Sequence, residues 1–155
     1  MFENIIKNVH NRHPLIHCIT NYVSINDCAN IVLACGGAPI MAEDINEVSQ
    51  ITSICQGLDI NIGMLNDNKL SSMLKAGATA HELGIPVILD PVGAGSSDYR
   101  IKAVQNLMSN VQFGVIRGNV SEIKAIAAKQ GIHNIAAGVY ETMQKNKSAM
   151  GVEAG

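Results

Sequence analysis

Apolar and polar residues alternate along this chain in blocks of two different periods. Short, nearly unbroken apolar runs recur at "LIHCI" (15–19), "APIM" (38–41), "LDINIG" (58–63), "PVILD" (86–90) and "FGVIRG" (113–118). Continuous runs of this length predict strands covered on both faces. Longer stretches with helical spacing separate them. After Ser24, apolar residues fall at Ile25, Cys28, Ala29, Val32 and Leu33, the i, i+3, i+4, i+7, i+8 interval of one helix face. Ser24 with Asp27 predicts a capping box at its start, and Gly36-Gly37 a left-handed stop. Further helices are predicted over 43–56, closed by Gly57, and over 67–83, with Leu70, Met73, Leu74 and Ala80 inward and Gly84 as the stop. Another is predicted over 99–110.

Strand and helix alternating across short joints predict right-handed crossovers and a mainly parallel sheet. The expected architecture is a three-layer α/β fold in a single domain over 1–155. Beyond 129 the pattern weakens, with one more helix expected over 137–147. A sheet that ended there would leave its last strand with an unpaired edge. The pattern therefore predicts a sheet with a part missing, as if truncated at its C-terminal end.

Composition narrows the function classes. The 155 residues are 47% hydrophobic and 15% charged, which suits a globular domain with a real core. A formal charge of −2, 3% aromatics and no tryptophan supply neither a basic footprint nor stacking platforms, so nucleic acid is not an expected partner. The "MFENIIKNVH" start lacks the layout of a secretory signal, and no segment has the length of a membrane span. A cytoplasmic protein with no membrane partner is the expectation. Cys18, Cys28, Cys35 and Cys55 form no C-x-x-C pair and suit core positions better than a zinc site or a disulfide framework.

In open α/β sheets, ligands bind beyond the carboxyl ends of the strands. Asp90 surfaces there from an apolar strand and is followed by "PVGAG". It fits either a turn or helix cap, or a carboxylate that holds Mg²⁺ against a phosphate. Gly93 and Gly95 would let backbone N–H groups approach an anion, although "GAG" is neither a P-loop nor a G-x-G-x-x-G motif. Arg117 follows Val115-Ile116 and suits a surface ion pair or bidentate contact with phosphate. Asn119 and Glu122 form an N-x-x-E capping pattern. Two acids and an arginine on one rim are nonetheless the set a Mg-nucleotide requires. His17, inside a strand, reads as a core histidine, Asn21 as turn chemistry, and Met41 as core filler or the apolar wall of a heterocycle pocket.

The stretches "HCITNYVSINDCANIVLACGGAPIMAEDINEV", "LDINIGMLN", "ELGIPVILDPVGAG" and "VIRGNVSEIKAIA" resemble, in this order, the hydroxyethylthiazole kinase family. The resemblance covers about 13–128. It implies a ribokinase-like fold, a homotrimer with active sites between subunits, and transfer of the γ-phosphate of ATP to the hydroxyl of 4-methyl-5-(2-hydroxyethyl)thiazole with Mg²⁺, in thiamine biosynthesis or salvage. By motif, Asn21, Val23, Met41 and Gly63 correspond to thiazole-pocket residues. Asp90 and Glu122 correspond to the Mg²⁺ and phosphate carboxylates, and Arg117 and Asn119 to ATP-phosphate ligands.

The family also carries a base cysteine in a later Gly-rich turn, and no cysteine follows Cys55 here. The ending "MGVEAG" is similar to the approach to a further strand of that later half. The resemblance thus implies little turnover by this chain alone, since losing a general base costs about 10²–10⁴ in rate. Two rivals stand beside it: half of a (β/α)₈ lyase or isomerase, which would want a lysine or an acid pair at strand ends, and a thiazole- or nucleotide-binding subunit without catalysis.

Overall fold

The computed structural model describes residues 2–129. In chain order these form α1 (Phe2–Arg12), β1 (Leu15–Ile19), α2 (Ile25–Ala34), β2 (Ala38–Met41), α3 (Val48–Ile54) and β3 (Gly57–Asn61). There follow α4 (Asp67–Leu83), β4 (Val87–Asp90), α5 (Asp98–Asn110), β5 (Val115–Ile116) and α6 (Val120–Lys129). The helix expected over 137–147 and the strand approach at 150–155 lie outside the described residues.

The strands make one sheet in the order β2-β1-β3-β4-β5, and every pairing is parallel. The chain therefore crosses over outward from β1 to β2, then back past β1 to β3. That reversal places a topological switch point between β1 and β3, where open α/β sheets hold ligands.

Alternation along the strands gives the sheet two unlike faces. His17, Ile19, Leu58, Ile60, Val87 and Leu89 share one face, and all are buried. They pack with Val48 of α3, Met73, Ala76 and Ala80 of α4, Val104 and Leu107 of α5, and Ile126 of α6. On the other face, Cys18, Asp59, Ile88 and Val115 lie in one row across four strands. Helix α2 packs on β2 there, with Cys28 Sγ 3.8 Å from Thr20 Oγ1 just beyond β1. Toward β4 and β5 that face opens: Ile88 is 39% and Val115 52% exposed. Among the described residues the second helical layer thus spans only part of the sheet, where the sequence predicts cover throughout.

The local boundaries show which signals win. Asn66 caps α4 by accepting from Lys69 N at 2.9 Å, and Gly84 ends it at φ 66°, the stop that the sequence predicts. The capping box at Ser24 does not form. Ser24 instead donates from N and Oγ to Asn21 Oδ1, at 3.0 and 3.1 Å, so the preceding turn claims it. The helix expected over 43–56 begins only at Val48, because Asp44 Oδ1 accepts from Asn46 N at 2.8 Å and closes a turn first. Gly57 does not close that helix either. It opens β3, where a Cβ would lie 3.2 Å from Ile16 Cδ1. The strand "FGVIRG" shortens to Val115–Ile116, although Gly114 N and Arg117 N still donate to β4 carbonyls.

Candidate functional site

Asn61 ends β3 at the switch point and is 8% exposed. Its Oδ1 accepts from Asn21 Nδ2 at 3.2 Å and from Gly63 N at 2.8 Å, and its Nδ2 donates to Asp90 Oδ2 at 3.0 Å. One carboxamide thereby joins the loops after β1 and β3 to the carboxylate at the end of β4. Gly63 tolerates no side chain there: a Cβ would meet Asn61 Oδ1 at 2.9 Å and Asn21 Nδ2 at 3.0 Å. Asn21 serves as the turn residue read from sequence and also reaches across to Asn61.

Beyond β4 and β5, Asp90, Arg117, Asn119 and Glu122 line one cavity of about 650 Å³. Asn119 and Glu122 form the reciprocal cap: Glu122 N donates to Asn119 Oδ1 at 3.0 Å, and Asn119 N to Glu122 Oε2 at 2.8 Å. Glu122 Oε1 accepts from Gly93 N at 2.9 Å. The Gly93 amide, expected to be free for an anion, is therefore engaged by a side chain instead. Gly93 itself sits at φ 67°, a left-handed turn that glycine adopts without strain.

The electrostatics of this rim favour an incoming cation. Burial pushes the Asp90 carboxyl above its ordinary 3.8; Arg117 pulls it back down, and Glu122 pushes it further up. The Arg117 guanidinium lies 3.7 Å from Asp90 Oδ2, but its side chain is 74% exposed, so water screens its pull. Asp59 is also raised, first by burial and then by Asp90. Among the described residues, no group of three or more His, Cys, Asp or Glu side chains is arranged to hold a metal. A fully protein-caged ion therefore does not fit. A hydrated Mg²⁺ does fit, because it takes one or two carboxylates and completes its shell with water and phosphate.

The remaining expected residues stand apart from this hydrogen-bonded chain. Met41 is half-buried at the end of β2, in register with Cys18. Val23 is 88% exposed and meets none of them. His17 is the core histidine expected: Nε2 donates to Ala42 O and Nδ1 meets Thr52 Oγ1, both at 2.8 Å, and burial lowers its pKa. Cys18 is equally inert, its thiol pushed up to about 12, chiefly by burial.

Sequence reading passed over the polar core of the site. Lys69, buried on α4, pairs with Glu43 Oε2 at 2.7 Å, donates to Thr20 O and lies 4.7 Å from the Tyr22 ring. Tyr22 OH donates to Glu43 as well. Burial would raise the Glu43 carboxyl, yet the hydrogen bonds from Lys69 and Tyr22 outweigh it and hold it down. This group fixes the β1 and β2 loops against α4. The visible signal was a lysine at an inward-facing helical position and an asparagine between two buried isoleucines.

Comparison with known proteins adds to this geometry. The sequence model described as "Hydroxyethylthiazole kinase family" matches residues 6–153. The chain is 60% identical to a hydroxyethylthiazole kinase of Clostridium acetobutylicum, across 85% of this chain and 48% of the relative. It is 47% identical to one from Methanobrevibacter smithii, across 87% of this chain and 48% of the relative. The solved structure of a hydroxyethylthiazole kinase protein from Pyrococcus horikoshii superposes with a TM-score of 0.80 at 39% identity, covering 83% of this chain and 50% of that one. The chain spans about half the length of the curated relatives it matches. With one family matched along nearly its whole length and its sheet superposed on a member's, the chain belongs to the hydroxyethylthiazole kinase family.

Proposed function

We propose that this chain builds the acceptor side and part of the phosphate side of a site that phosphorylates the hydroxyl of 4-methyl-5-(2-hydroxyethyl)thiazole at the expense of ATP. The observation that carries the reading is the Asn61 junction, which ties the loops of Asn21 and Gly63, after β1 and β3, directly to Asp90. An alcohol held between those two loops would lie next to a phosphate held over the loop after β4. Such proximity is most of what phosphoryl transfer asks of a protein.

In this reading Asn21, Val23, Met41 and Gly63 hold and orient the thiazole. Arg117 and Asn119 face the ATP phosphates, and Arg117 is exposed enough to reach them. Asp90 and Glu122 would hold Mg²⁺ through water. Bound there, the ion would neutralise charge on the phosphate oxygens. The raised Asp90 carboxyl is in keeping with this, since a nearby cation would favour its ionised form. A homotrimer fits the same reading. Helix α2 buries none of its residues; Ile31 and Leu33 are more than half exposed, and Val23, just ahead of the helix, is more exposed still. The described residues include no helix long and apolar enough to cross a membrane.

Binding without transfer is the second reading. None of the four cysteines lines the cavity of Asp90, Arg117 and Glu122, so no thiol there can take the alcohol's proton. Calorimetry with the thiazole and with Mg-ATP, beside a coupled assay for ADP, separates the two. The kinase reading predicts binding of both ligands and thiazole-dependent ADP release slowed by about 10²–10⁴ for want of the base. Binding without ADP favours the second reading, and binding of neither ligand contradicts both.

A further inference from the structure

Arg100, in the first turn of α5, plays no part in the site as read so far, yet it holds two of its loops together. Its Nη1 donates to Ile62 O at 2.6 Å and to Val92 O at 2.8 Å, and its Nη2 donates to Gly63 O at 2.8 Å. Ile62 and Gly63 lead out of β3 on the acceptor side. Val92 leads out of β4 toward the phosphate side. One planar guanidinium thus serves three carbonyls from two separate loops.

The surrounding contacts fix this fork in place. Ser97 caps α5 by accepting from Arg100 N at 3.2 Å, and Tyr99 OH donates to Asp67 Oδ1 of α4 at 2.8 Å. The left-handed turn at Gly93 folds over the arginine stem, where a Cβ would come within 3.6 Å of Arg100 Cδ. The amides of the same loops are bonded elsewhere, Gly63 N to Asn61 and Gly93 N to Glu122. Each loop therefore has its own anchor, and Arg100 supplies a separate link between them. Lysine cannot reproduce it, because an ammonium lacks the rigid fork that reaches three acceptors at once.

We infer that Arg100 is a positioning residue that couples the two loops, so that filling the acceptor side sets the geometry of the phosphate side. The identity of what each loop holds rests on the kinase reading; the mechanical coupling does not. Amide hydrogen exchange followed by NMR on the wild-type chain and on Arg100→Lys and Arg100→Met tests both parts separately.

Without ligand, either substitution should speed exchange at Gly63 and Gly93 together, by about tenfold or more, while Ile60 and Leu89 in the strands keep their rates. With saturating 4-methyl-5-(2-hydroxyethyl)thiazole, the wild type should slow at both glycines, and Arg100→Lys at Gly63 alone. A lysine variant that still transmits protection to Gly93 would overturn the coupling role. So would a rise spread evenly over the sheet, which would mark Arg100 as a structural residue only. If the thiazole protects neither loop of the wild type, the kinase reading fails. The ligand-free comparison then decides Arg100: a joint rise upholds the coupling, and a rise in one loop or in neither overturns it.

Discussion

Replacing Asn61 by aspartate changes the centre of the site at a single group. In the wild type, Asn61 Nδ2 donates to Asp90 Oδ2 at 3.0 Å, and Asn61 Oδ1 accepts from Asn21 and Gly63. The substitution keeps both bonds to Oδ1 but sets a second carboxylate oxygen against Asp90. Two unit charges at that separation repel by about 1.4 kcal/mol in bulk water and about 5.5 kcal/mol at an effective dielectric of about 20. Asn61 is 8% and the Asp90 side chain 16% exposed, so the second environment is the closer one. The pair escapes that cost only by taking up a proton, which it does more readily as the pH falls.

The lost hydrogen bond to a charged group contributes about 1.5–3 kcal/mol. With the residual repulsion, the variant should be about 2–4 kcal/mol less stable than wild type near neutral pH. The pair titrates above the unfolded carboxyl value. Its favourable contribution is therefore complete below that value and is lost as pH rises through the folded one. The deficit of the variant should accordingly shrink on acidification from about pH 7.5 toward about pH 5. Urea denaturation at both pH values measures this, with an expected midpoint loss of about 1–3 M at the higher pH for a slope of about 1–3 kcal/mol/M. A variant as stable as wild type at neutral pH would refute the reasoning. A deficit unchanged by pH would do the same.

Asp59→Asn should raise the denaturation midpoint at neutral pH. The Asp59 carboxyl is raised from 3.8, chiefly by burial, so ionising it weakens the fold; the gain should fade as pH falls toward 3.8. Gly77→Ala adds a Cβ 2.4 Å from Val111 Cγ2. The clash, typically about 1–3 kcal/mol, should outweigh the helix-propensity gain of about 1 kcal/mol, and adding Val111→Ala should recover stability in a double-mutant cycle. Arg117→Met should leave stability within about 1 kcal/mol, as for an exposed ion pair. In calorimetry it should nevertheless weaken Mg-ATP binding by about tenfold or more, as loss of a charge-assisted phosphate contact would.

Much of this fold was legible because its signals are local. Helix α4 carries both ends in its sequence, an asparagine cap and a glycine that can turn left-handed, and it forms over Asp67–Leu83 as predicted. Segment 43–47 has helical spacing too, but Asp44 bonds its own neighbourhood more cheaply than a helix can, and Glu43 is drawn to Lys69. Gly57 shows the opposite ambiguity, since glycine serves a close strand contact as readily as a helix stop. At the site, the charged rim was visible because Asp90 and Arg117 interrupt apolar strands. Asn61, Lys69 and Arg100 were not. Each sits within an apolar or helical pattern, and the partners Asp90, Glu43 and Gly63 lie 26 or more residues away in sequence. A polar residue at an apolar position hints at such a bond, but local periodicity does not name its partner.

The kinase reading has the loops of Asn21 and Gly63 receive the thiazole alcohol beside Asp90. Calorimetric titration of 4-methyl-5-(2-hydroxyethyl)thiazole into the wild-type chain and into Gly63→Ala tests it most directly. A Cβ at Gly63 would fall 2.9 Å from Asn61 Oδ1 and 3.0 Å from Asn21 Nδ2, which forces that junction apart. The account predicts saturable binding to the wild type and its loss in the alanine variant. It is contradicted by a wild type that gives no saturable heat, or by an alanine variant that binds equally well.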